Sequence, residues 1–337
     1  MLYPIAVFVR DSADLLIGFI DGNGTVKISP QFAGSGHFCE GLAGVVGANG
    51  LSGFLSRTGE MIIPLRFRGV GHFHDGLCSI GADHGVGYID HSGGWVLEPK
   101  FLIAMAFSEG RAFVSSDGES FHLIDMSGSR IGRAEFARAR PYRGGLAPVM
   151  SDRGWGFIDR DGLLTIPFSF EDTKSQHFTS ALTAVKISGR WGFIDHSGCF
   201  AIKPYFDDVQ PFAEGLAAVK IEGKWGMIDL GGRVRVAPKW DELGELVDGL
   251  AAASADGKAG YVDPTGTWAI DPVYDQTKRF FGELALVSEG NVRAYIRTDG
   301  QIVWRSEAHA IVPRPPSRFS VLRAARVSRL DHTLITP

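Results

Sequence analysis

The chain has 337 residues, 45 % of them hydrophobic and 21 % charged, and a formal charge of −4. That composition belongs to a folded chain, and so small a net charge gives no electrostatic reason to expect nucleic acid or an anionic membrane as partner. Cys39, Cys78 and Cys199 are far apart and never in a C-x-x-C spacing, which points to neither a disulfide framework nor a zinc ribbon.

Met1 to Phe8 is apolar, but Arg10, Asp11 and Asp14 interrupt the run and no cationic stretch precedes it, so a secretory signal is not expected. Nor does any stretch approach the roughly 18 apolar residues of a membrane helix. A cytoplasmic setting is the expectation. From residue 18 a phrase of Gly-aromatic-Ile-Asp, two variable residues and Gly keeps returning. It begins at Gly18, Gly53, Gly87, His122, Gly156, Gly192, Gly226, Gly260 and Ala294, 34 to 36 residues apart. A fixed period of this length marks one supersecondary unit that buries its apolar face only against its neighbours.

The unit from Phe206 to Pro238 shows the plan. Phe206 to Phe212 reads as a short, weak extended run and Ala213-Glu214-Gly215 as a turn. Leu216 to Ile221 alternates with period two, as a half-buried strand does. Glu222-Gly223 is a hairpin turn, Lys224 to Asp229 the returning strand, and Val234 to Val236 a further strand that Pro238 is expected to stop. Each unit offers three good strands and a weaker one, so the fold class is all-β, a tandem array of nine units over residues 1–304. An open, curved or spiral stack is favoured over a closed β-propeller: nine units exceed the usual four to eight blades, and the end units diverge most, as caps do. In favour of closure, the first unit lacks its weak strand and Ala308 to Val312 would supply it.

Several positions have a folding reason to recur. The turn glycine, from Gly24 through Gly300, suits an αL turn closure. The Asp before it, as at Asp90 or Asp229, accepts bonds from its own turn. The glycine inside the returning strand marks a close approach of another backbone or a ring.

In its central units the chain resembles bacterial WG-repeat proteins. The residues that carry the likeness are Leu146 to Asp159 (LAPVMSDRGWGFID), Leu182 to Asp195 (LTAVKISGRWGFID) and Leu216 to Asp229 (LAAVKIEGKWGMID). Elsewhere the Trp position holds Ile17, Ser52, Val86, Phe121, Ala259 and Arg293. The resemblance implies noncatalytic β-repeat modules, some of them found around toxin and immunity systems, and brings no catalytic residue or cofactor with it.

Two sets of residues stand out as sites. Trp155, Trp191 and Trp225 recur one unit apart; core packing explains them, and an aromatic track for sugars or peptides is the functional alternative. His37, His72 and His177 hold equivalent places, and His37, His72 and His74 are the weak metal-ligand set. No phosphate loop, zincin or nucleophile-elbow motif is present, so no enzyme is expected. The reading is a binding scaffold whose partner is another protein, a toxin domain in an immunity-type pair, with a glycan- or small-ligand-binding module as the alternative and a metal-dependent hydrolase as the third. Residues 305–337 form a basic tail, with a rigid Pro313 to Pro316 spacer and a short basic helix from Phe319 to Leu330.

Overall fold

In the computed structural model the described residues are 1–8, 15–69, 71–174 and 182–306. His177, the segment 308–312 and the tail readings from 307 onward lie outside them. Every element among the described residues is a strand, and the strands form nine small antiparallel sheets, one per unit. The sheets succeed one another around a ring resembling a nine-bladed propeller.

Sheet seven is representative. Its four strands, in order across the sheet, are a leading strand Asp208–Val209, an opening strand Leu216–Ile221, a glycine strand Lys224–Asp229 and a proline strand Val234–Trp240. The leading strand is two residues long, the weak element that the sequence suggests. Sheet one has no leading strand among the described residues, and in sheet three only the bridge Arg68 to Gly81 stands for it. Glu222 and Gly223 at the hairpin have φ of 49° and 82°, the paired positive values that let a two-residue turn match strand twist. The turn glycines from Gly24 to Gly300 all have φ between 78° and 87°. Asp21, Asp90, Asp125, Asp159, Asp195, Asp229 and Asp263 each accept, at Oδ1, the backbone N–H groups two and four residues on, at 2.8–3.0 Å.

The prolines require a correction. Pro30, Pro64, Pro99, Pro167, Pro204, Pro238 and Pro272 do not stop their strands; each lies inside a seven-residue strand such as Val234–Trp240. The reason is a bulge of three residues against one. Trp225 pairs with Trp240 and Met227 with Val236, so Gly226 alone faces Ala237, Pro238 and Lys239. A bulged residue makes no ladder bond, and a proline there costs none. The bulge also explains the glycine. A Cβ on Gly226 would sit 2.5 Å from the Val236 carbonyl oxygen and 2.7 Å from the Pro238 nitrogen, and one on Gly192 would sit 2.7 Å from the matching atoms of Ile202 and Pro204.

Neighbouring sheets share their cores. Trp225, Val236 and Trp240 of sheet seven cluster with Leu243, Ala251 and Ala253 of sheet eight. The turn glycine has a second duty here: Gly198 lies on Ile166 of the preceding sheet and Gly232 on Ile202, where a Cβ would come within 2.9 and 3.2 Å. Glu40, Asp75, Glu109 and Glu214, at positive φ in the turn before the opening strand, accept the N–H of Gly76, Gly110, Gly145 and Gly249 in the next sheet at 2.7–3.0 Å.

The first and ninth sheets meet through the same kinds of contact. Tyr88 donates to the Met105 carbonyl and Tyr261 to the Lys278 carbonyl, each in the following sheet, and Tyr295 of sheet nine donates to the Pro4 carbonyl at 2.8 Å. Gly24 lies against the Val303 backbone carbonyl of sheet nine, so this turn glycine too touches the preceding sheet. Tyr3, Ile5, Val7 and Ile20 share a buried cluster with Leu284 and Tyr295, and Arg297, which replaces the turn Asp in unit nine, donates to the Gly22 carbonyl and to Asn23.

Candidate functional site

The three tryptophans are core residues. Trp155, Trp191 and Trp225 are 4, 5 and 7 % exposed, each wedged between its own proline strand and the next sheet. Cations cover what remains of their faces: Arg140 stands 4.3 Å from the Trp155 ring, Lys174 5.3 Å from Trp191 and Lys220 6.0 Å from Trp225. A sugar has no ring face to stack on at these positions.

The histidines come together in a pair rather than a triad. His37 and His72 stack with ring centroids 6.3 Å apart. His37 also packs on Phe281 of sheet nine at 5.2 Å. Arg279, held by Glu245 at 2.5 Å, completes this arc. Among the described residues no group of three or more His, Cys, Asp or Glu is placed to hold a metal ion, and exposed His74 does not join the pair into such a set. Burial, and then Arg279, hold the His37 pKa below its ordinary value; burial, and then His37 and His74, do the same to His72.

Those two shifts carry a prediction. Above the ordinary histidine value of 6.5 both rings are neutral in the folded and unfolded chains alike, and no stability is at stake. Below it the unfolded chain takes up protons that the folded one resists, so stability falls as pH falls. The melting temperature is expected to drop between pH 7.5 and 5.5, and the His37→Asn/His72→Asn double variant to flatten that slope. An unchanged slope in thermal melts would refute the assignment.

The recurring acidic groups are occupied by the fold. Bonds from the turn hold the carboxyls of Asp90, Asp125, Asp195 and Asp263 below their usual range, first through the hydroxyls of Ser92, Ser127, Ser197 and Thr265, with backbone N–H groups adding to them. Glu109 is lowered as well: burial opposes the shift, and Arg160 of the next sheet, at 2.6 Å, together with the Gly145 N–H, overcomes it.

A surface feature lies at the start of the proline strands. Their third residue is buried under the next sheet's turn glycine, while the first extends past that cover. In sheets five to seven it is Leu164, Phe200 and Val234, joined by Leu163 and Leu230 from the preceding turns; Leu163 is 64 % exposed and the others 39–54 %. Equivalent positions on three successive sheets thus form an apolar arc, and Val26, Met61 and Ile302 hold the same place in sheets one, two and nine at 37–47 % exposure. The signal was in the sequence, since an apolar residue stands two places after the turn glycine in eight of the nine units, Arg130 being the exception.

The family described as the WG containing repeat matches residues 17–47, 53–80, 87–119, 155–191, 191–225, 225–258 and 260–292, more than half of the chain. A search of curated proteins finds no match. Among solved structures, a crystal structure of the eukaryotic initiation factor aligns with a TM-score of 0.60 at 11 % identity, covering 94 % of this chain and 100 % of that one. BamB from Moraxella catarrhalis aligns at 0.45 and 12 % identity, over 89 % of this chain and 96 % of that one. The computationally designed Ika8 protein aligns at 0.49 and 13 %, over 79 % and 93 %. The first of these is a likeness of fold alone.

Proposed function

The chain belongs to the WG-repeat family, and from that premise we propose that it is a noncatalytic scaffold that binds another protein along the apolar arc of sheets five to seven. The observation that carries the reading is the contrast between positions. Recurring Asp, Glu, Gly and Trp residues are engaged within or between sheets, whereas Leu163, Leu164, Phe200, Leu230 and Val234 stand out in solvent. Apolar side chains clustered on a rigid rim supply the desolvated centre of a protein interface. The expected partner is a toxin domain, as in the immunity-type systems that the family resemblance implies.

The test is capture from lysate of the source cell, followed by co-expression with the protein captured. The wild-type chain is expected to retain a specific partner, and Leu164→Glu/Val234→Glu to lose it while melting as the wild type does. Retention of the partner by the double variant would move the interface elsewhere; a wild-type chain that captures nothing above background would end the reading.

A further inference from the structure

Where the repeat's tryptophan is present, it occupies a fixed space. Trp225 lies opposite Trp240 in its own sheet and in one cluster with Ala255 and Trp268 of the next. Those three neighbours are the last residue of the proline strand, the last of the following opening strand and the first of the following proline strand. In unit two the tryptophan is replaced by Ser52, and the three neighbours are Phe67, Ala82 and Trp95. They line an open cleft of about 610 Å³. Unit eight serves as an internal comparison. There Ala259 takes the tryptophan's place opposite Tyr274, and a cleft lined by Tyr274, Glu289 and Ile302, the same three positions, measures only about 20 Å³. Glu289 stands there where Ala82 stands in unit three.

The large cleft is chemically furnished. Phe67, 7 % exposed, meets the half-buried Trp95 edge to face at 5.7 Å, and of the two it is Trp95 that offers a ring to the cleft. Arg66 and Arg68 both line the cleft. Arg66 is fixed, its guanidinium 4.9 Å from the Phe67 ring and Nη2 donating to the Gly93 carbonyl at 2.6 Å. Arg68 is exposed and pairs with Asp83 at 3.2 Å, a surface pair weak enough to exchange. Ser52 itself is 1 % exposed and is not part of the cleft's lining, and its hydroxyl has no hydrogen-bond partner among the described residues.

We propose that this cleft between the second and third sheets binds a flat aromatic acid of about indole size, whose ring takes the volume left by the missing tryptophan and whose carboxylate pairs with Arg68. None of its residues belongs to the apolar arc, so the two readings stand or fall separately.

The probe is indole-3-acetate, titrated calorimetrically and by ligand-observed NMR into the full chain. One saturable site is expected, with Kd on the order of 0.1–1 mM for so small a ligand. Ser52→Trp refills the space and is expected to raise Kd at least tenfold while melting no lower than the wild type. Ala82→Phe narrows the same space from the neighbouring sheet and gives a second reading should Ser52→Trp fold poorly. Arg68→Gln, or 3-methylindole in place of the acid, is expected to weaken binding several-fold. Absence of saturable binding overturns the proposal, including the case in which only a side chain from a partner protein enters the cleft. Equal affinity in both space-filling variants overturns the location, and equal affinity for 3-methylindole overturns the role given to the carboxylate.

Discussion

Gly226→Ala is expected to destabilise the chain by about 3 kcal/mol, the scale of a methyl forced into packed backbone. The sign is informative, because at an unstrained strand position the same change stabilises by about 0.5–1 kcal/mol through the unfolded chain's entropy. Here the added carbon would meet the Val236 carbonyl and the Pro238 nitrogen, both backbone atoms inside a bulge with no rotamer to turn aside. Gly223 is the control: its neighbourhood is open, and its φ of 82° is the only objection to a side chain. Denaturant titration of both variants separates the two costs. A loss at Gly226 no larger than at Gly223 would mean that the bulge yields, and that close approach is not why glycine stands there.

The second large effect is expected at the meeting of the chain's ends. Tyr261→Ala and Tyr295→Ala each remove a buried ring and a hydroxyl that reaches the following sheet's backbone, at 2.6 Å to Lys278 and 2.8 Å to Pro4. Each is expected to cost about 3–5 kcal/mol. If sheet nine holds sheet one as firmly as sheet eight holds sheet nine, the two losses agree. A loss at Tyr295 below about 1 kcal/mol, with Tyr261 behaving as stated, would show that the ends part in solution, and small-angle scattering would then report an open arc.

Much of the fold was legible because a period repeats its own evidence. Nine copies of the turn glycine, seven of the turn Asp and the alternation in Leu216 to Ile221 predict strands, turns and their order from local chemistry. The glycine strand's approach to another backbone was legible for the same reason, since glycine inside a strand needs a cause. The proline positions were misread because a strand that bulges past a proline and one that stops at it have the same local sequence; which occurs depends on the facing strand. The links between sheets were hidden more deeply. Glu214 reads as a turn residue, although glutamate at positive φ is strained and calls for compensation, which at Glu40, Glu109 and Glu214 alike is a bond to a glycine N–H about one period along.

The binding residues were less legible than the fold. Repetition draws attention to Trp155, Trp191 and Trp225, yet a residue that every unit needs is one that every unit buries. The informative positions are departures from the pattern: Ser52 in the tryptophan's place, Arg297 in the Asp's place, and the first residue of each proline strand, where burial ends.

The bulged proline strand has a consequence for how these molecules behave in a crowd. Among the described residues every sheet finishes on the strand at that position, so each molecule carries a series of flanks on which a second chain could zip itself into the ladder and seed fibrils. In seven of them an imino ring and a kink break the row of donors a newcomer would need. The fourth sheet has no such ring, and Arg130, Arg133 and Glu135 guard its flank with charge instead. Colloidal stability is thus distributed along the repeat, renewed in seven of the nine units by a residue whose local sequence reads as a stop.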